Sequence, residues 1–90
     1  MLSIVVPVYN EEESLPPLWN ALRPVLDDLG KSSEVIFCDD GSSDKSVDVL
    51  RSLAESDHRI KVIELRRNFG QSAAMAAGFD HAKGEIIVPI

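Results

Sequence analysis

Four runs rich in apolar, β-branched residues alternate with three stretches in which apolar residues recur at helical spacing. The runs are Leu2 to Val8, Val35 to Cys38, Ile60 to Leu65 and Glu85 to Ile90. A near-continuous apolar run suits a strand covered on both faces of a parallel sheet. Strand, helix, strand, helix, strand, helix, strand is the alternation of such a sheet with right-handed crossovers, so the fold class is α/β. Ninety residues allow one domain, 1–90, and no second.

The helical stretches carry their own punctuation. Leu15, Leu18, Leu22, Val25 or Leu26, and Leu29 mark the first, with Ser14 as N-cap, Pro16 and Pro17 in the first turn, Pro24 as a bend and Gly30 as the end. Val47, Leu50, Leu53 and Ala54 mark the second, which should start among Ser42, Ser43 and Asp44. The third runs from Gln71 to about His81, with Gly84 as its C′ residue, and its small residues Ala73 to Gly78 let it approach the sheet closely. The fourth strand lacks the helix that would normally cover it, so the chain reads as the N-terminal piece of something longer.

Composition removes several functions. A hydrophobic share of 44% with 27% charged residues describes a globular chain, and a formal charge of -6 argues against nucleic-acid binding, which needs a basic surface. One cysteine excludes an internal disulfide, and one cysteine with two distant histidines cannot assemble a zinc-type cluster. Cys38 inside a strand reads first as a small buried side chain. The N-terminus has no basic region or cleavage site, and its apolar run is too short to span a bilayer, so it reads as the first strand of a cytosolic domain.

Chemistry concentrates where strands end. The second run stops at Asp39-Asp-Gly-Ser-Ser-Asp44, and in an open α/β sheet ligands bind in the crevice beyond the carboxyl ends of the strands. Because neighbours along a strand point to opposite sides, one of Asp39 and Asp40 faces a ligand at most, while the other braces the turn. Both could instead cap the turn and the next helix. Tyr9 and Glu11 follow the first strand and should lie beside the Asp40 loop, where a ring could stack on a base and a carboxylate hold a ribose. Glu12 and Glu13 read as favourable charges near a helix N-terminus. Arg66 and Arg67 precede a helix N-terminus near Gly70, a setting that suits a phosphate. Neither GxGxxG nor GxxxxGK[ST] occurs, and no Ser-His-Asp or Cys-His pairing is evident.

Four motifs, Val6-Pro-Val-Tyr-Asn-Glu11, Asp39-Asp-Gly-Ser-Ser-Asp44, Arg67-Asn-Phe-Gly-Gln71 with the following Ala-Ala-Met-Ala-Ala-Gly-Phe, and Gly84-Glu-Ile-Ile-Val, stand in one order along the chain. Together they resemble the inverting family-two nucleotide-sugar glycosyltransferases of glycosyltransferase-A fold, and within them the polyprenyl-phosphate branch of dolichol-phosphate mannose synthases and bacterial undecaprenyl-phosphate sugar transferases. The resemblance implies a three-layer open parallel sheet, the Rossmann-like N-terminal half of that fold, with strand order 3-2-1-4. It implies that Pro7, Tyr9 and Glu11 line the nucleotide pocket, Asp40 reads the base edge and Cys38 approaches the base through its backbone; Arg67, from its place before the helix N-terminus, completes the substrate-binding set on the phosphate side.

The same resemblance implies sugar transfer, with inversion, from a nucleoside diphosphate to a polyprenyl phosphate at the cytoplasmic face of a membrane. A divalent cofactor, Mg2+ or Mn2+, would be held by an Asp-x-Asp motif expected beyond residue 90, as would the general base. Residues 1–90 would then bind nucleotide without transferring sugar, and would self-associate by edge pairing of the fourth strand or by packing the exposed sheet face against a second copy. The competing reading is a non-catalytic nucleotide-binding or regulatory α/β domain.

Overall fold

The computed structural model describes residues 1–84 and 86–89. Its elements are β1 (Leu2–Val8), α1 (Leu15–Leu29), β2 (Ser33–Asp39), α2 (Ser46–Ser56), β3 (Ile60–Glu64), α3 (Gln71–His81) and β4 (Ile86–Pro89). Glu85 and Ile90, the ends of the expected fourth strand, lie outside the described residues. All four strands are parallel in the order β3-β2-β1-β4, as the resemblance implies. Leu2 pairs with both Ser33 and Ile86, and Val35 with Ile60.

This order dictates the layers. The chain steps outward from β1 to β2 to β3 and then returns to the far side of β1. Right-handed crossovers made in opposite directions place their helices on opposite faces. Accordingly α1 and α2 cover one face, where Leu15, Trp19, Leu26 and Leu50 pack on Ile4, Val6, Val8, Val35, Phe37 and Ile60. On the other face α3 sets Ala74 against Val5, Ile36 and Cys38. Alternation along β1 and β2 supplies both faces, and each buried large side chain contributes roughly 1.5–3 kcal/mol.

The face under α3 is built for closeness. A Cβ on Gly78 would overlap Val5 Cγ1 and lie 2.8 Å from Cys38 Sγ, so only glycine fits where the helix crosses the sheet. At the N-terminal ends of the strands a polar cluster ties this face together. The Ser3 hydroxyl donates to Glu34 Oε2 at 2.6 Å, the Lys83 amide donates to the same oxygen at 2.7 Å, and the Gly84 amide donates to Ser3 Oγ at 2.8 Å. Burial disfavours a charged Glu34, but these hydrogen bonds and the nearby charges of Lys61 and Lys83 outweigh it and hold the carboxyl below its ordinary range.

Several local expectations change. Ser14 has helical dihedrals and makes no side-chain cap, because the amides a cap would serve belong to Pro16 and Pro17, which have no N–H. Pro24 lies within α1, and the helix continues through it to a left-handed Gly30. α2 begins later than expected, at Ser46, with Asp44 Oδ1 accepting from the Ser46 amide at 2.9 Å. β3 stops at Glu64, although the Leu65 amide still donates to Asp39 O. α3 ends at His81 with Ala82 as an extended cap, so Gly84 is not its C′ residue. Gly84 instead packs on Met1 and Ser3, where a Cβ has no room.

Candidate nucleotide-binding cleft

The loops after β1 and β2 are sewn together by side chains. Asn10 adopts φ 52, a left-handed conformation that asparagine tolerates, and its Oδ1 accepts from the Ser43 amide at 2.8 Å. The Asn10 amide donates to Ser42 Oγ at 2.9 Å, and the Glu11 amide donates to Ser46 Oγ at 2.8 Å. Asp44 accepts from the Glu12 and Ser46 amides; partial burial works against its charge, and these bonds still keep its carboxyl low. The first loop therefore does lie beside the second.

Asp39 and Asp40 divide their work as alternation requires. Asp39 is buried and folds back on its own turn, accepting from the Ser42 amide at 2.9 Å and the Ser42 hydroxyl at 2.5 Å. Asp40, 3% exposed, reaches the segment after β3: Oδ1 accepts from the Phe69 amide at 2.8 Å and Oδ2 from the Gly70 amide at 3.1 Å. Gly41 makes this approach feasible. Its φ is 76, and a Cβ there would strike the backbone of Arg67 and Asn68.

Pro7, Val8, Tyr9, Glu11, Asp40 and Gln71 line one cleft at the carboxyl ends of β1 and β2. Its volume of about 190 Å³ falls short of the roughly 300–1,000 Å³ of complete ligand pockets. It offers a half-exposed aromatic ring, two carboxylates and a carboxamide that both donates and accepts. Four of the six residues proposed from sequence thus meet there. Cys38 does not line it: the thiol is fully buried, and burial pushes it up to about 11. Arg67 does not line it either, since its guanidinium lies 4.9 Å over the Phe69 ring. Gln71 and Asn10 were not singled out from sequence. Gln71 stands at the first position of α3, and Asn10 inside a motif otherwise read for Tyr9 and Glu11. Among the described residues no group of three or more His, Cys, Asp or Glu side chains could hold a metal ion.

Comparison with known proteins gives a consistent picture. The family description "Glycosyl transferase family 2" matches residues 3–90. The undecaprenyl-phosphate 4-deoxy-4-formamido-L-arabinose transferases of Salmonella paratyphi B and Edwardsiella ictaluri are 44% and 41% identical to the chain over 90 residues, 99% of its length. The chain spans 28% of the length of each. Among solved structures, S. aureus TarS 1-349 in complex with UDP-GlcNAc superposes with a TM-score of 0.82 at 25% identity, over 99% of this chain and 25% of its own. The mannosyltransferase PcManGT from Pyrobaculum calidifontis, in complex with GDP-Man and Mn2+, gives 0.74 at 25% identity, over 96% of this chain and 25% of its own.

Proposed function

We propose, for a chain that belongs to glycosyl transferase family 2, that residues 1–90 form the nucleotide-binding part of an enzyme moving a sugar from a nucleoside diphosphate to a polyprenyl phosphate with inversion. The observation that carries this reading is the convergence of Tyr9, Glu11 and Asp40 on one cleft at the carboxyl ends of β1 and β2. Tyr9 offers a face for a base. Asp40 keeps lone pairs beyond those used by the Phe69 and Gly70 amides and accepts from a base N–H, while Glu11 accepts from a ribose hydroxyl. Pro7 forms the wall, and Cys38 contributes through its backbone. Arg67 and the N-terminus of α3 attract the phosphates once Arg67 leaves the Phe69 ring.

The acceptor class is taken from the relatives' name, undecaprenyl-phosphate 4-deoxy-4-formamido-L-arabinose transferase, and this reading sets the reaction at the cytoplasmic face of a membrane. No helix among the described residues is long and apolar enough to cross one. A divalent ion, Mg2+ or Mn2+, is the cofactor this reading carries, by analogy with the mannosyltransferase in complex with GDP-Man and Mn2+; its ligands belong outside residues 1–90. The isolated stretch self-associates through β4. Calorimetric titration of the intact protein with UDP, GDP and their sugar conjugates tests the core of the proposal. Micromolar to millimolar binding of at least one, weakened by Tyr9→Ala, is expected; no binding of any would overturn it.

A further inference from the structure

Among the described residues, the largest concentration of unpaired positive charge lies at the opposite end of the sheet from the nucleotide cleft. A second cleft of about 560 Å³ opens there between the N-terminal ends of the strands, walled by Lys31, Ser33, Glu34, Arg59, Lys61 and Lys83. Its volume falls within the range of small-molecule sites. Three of the four lysines of a chain with formal charge -6 converge on it. All three are exposed, and none has an ion-pair partner within 4.0 Å among the described residues. Arg59, by contrast, is held by Asp27 at 2.9 Å and Asp57 at 2.6 Å.

Among the described residues one carboxylate, Glu34, stands in the wall, and its single negative charge, which Lys61 and Lys83 both feel, offsets three lysines only in part. Glu34 spends Oε2 on the Ser3 hydroxyl and the Lys83 amide. Ser33 Oγ, also in the wall, is the one buried side-chain oxygen among the described residues without a hydrogen-bond partner. Buried polar atoms are rarely left so, and a rotation of this hydroxyl toward the cleft would offer a bound anion a donor. Three ammonium groups act as point charges and suit a compact, multiply charged anion better than a single carboxylate. Ser33 and Asp40 are seven residues apart along β2 and its continuation, about 23 Å at strand rise, so one small ligand cannot span both clefts.

We propose that this basic cleft is a second binding site, for a phosphate-bearing anion, separate from the nucleotide cleft and independent of the transfer reaction. The phosphate is either that of a soluble diphosphate or that of a lipid headgroup. Pyrophosphate is titrated into the intact protein and into its Lys61→Gln/Lys83→Gln variant, with Lys31→Gln as a second, single-site variant. Sedimentation with phosphatidylglycerol and with phosphatidylcholine vesicles forms the other arm. Expected is a pyrophosphate affinity at least tenfold weaker in the double variant, weakened also in Lys31→Gln, with UDP affinity within twofold of wild type. Retained pyrophosphate binding without sedimentation identifies a soluble anion; sedimentation with phosphatidylglycerol alone, lost in the double variant, identifies a headgroup. Neither pyrophosphate nor vesicle binding by wild type, equal binding by the variants, or displacement of pyrophosphate by UDP one for one would overturn the assignment.

Discussion

The Phe69 amide donates to Asp40 Oδ1 at 2.8 Å, joining the end of β2 to the segment that precedes α3. The carboxylate proposed to receive the base therefore also fixes the backbone that leads to Gln71. A substitution that keeps its shape but replaces one acceptor oxygen with an NH2 group sets a donor against a donor. Asp40→Asn should weaken nucleotide binding by roughly 1–3 kcal/mol, the range for hydrogen bonds to charged groups. It should also speed amide exchange at Phe69 and Gly70. Asp39→Asn, whose oxygens serve only the turn at Ser42, should lower the midpoint of urea unfolding and leave affinity nearly unchanged. Unaltered affinity in Asp40→Asn would remove its proposed role.

Arg67 presents a different balance, because it lies over Phe69 and outside the cleft wall. If it swings onto the phosphates, Arg67→Ala should weaken a nucleoside diphosphate about tenfold and the bare nucleoside hardly at all, since the lost interaction is with charge. Parallel titrations of the two ligands decide this, and an equal loss for both would mean that the residue only supports the loop.

How much of this was legible in the sequence depends on whether the determinant was periodic or local. Strands and helices show as repeated apolar positions, and Leu15, Leu26 and Leu50 found the core because burial demands that repetition, whereas Trp19, equally buried, was missed. The order β3-β2-β1-β4 leaves no periodic trace, so it came from the motif resemblance alone. Polar loop residues lack repetition altogether. Asn10 and Gln71 were passed over because what distinguishes them, a left-handed φ in one case and a place at the cleft in the other, arises only when the loops meet. Gly84 was misassigned for the related reason that a glycine required by a neighbour 81 residues away looks like one required by a helix end.

Acid should loosen the polar cluster at the other end of the sheet. Glu34 titrates below its ordinary value of 4.5 in the folded chain. Its contribution to stability is complete above that unfolded value and is lost as pH falls through the folded one. Asp57, drawn down to about 2 by the hydrogen bond from Arg59, adds with the same sign. Glu34→Gln should therefore cost about 1–3 kcal/mol at pH 7 and less at pH 3. Urea melts of wild type and variant across that interval measure the difference, and a cost independent of pH would refute it.

β4 should make the isolated stretch associate. Ile86, Ile87 and Val88 are 61%, 40% and 40% exposed on a strand paired on one side only, to β1. An apolar edge of this kind templates another chain. Residues 1–90 alone should sediment as dimers or larger, and Ile87→Lys should shift them toward monomer. A monomer at high micromolar concentration by light scattering would contradict this.

The bond from the Gly84 amide to Ser3 Oγ joins positions 81 apart in a chain of 90. Closing so long a loop carries an entropic cost that local helices do not meet, so this junction forms after the β1-β2 and β2-β3 pairs have shortened the effective path. Interactions that appear late leave refolding speed nearly untouched and govern how fast the native state opens. Ser3, Glu34 and Gly84 therefore act as a latch on the lifetime of the folded sheet, and Ser3→Ala should hasten unfolding while hardly slowing refolding.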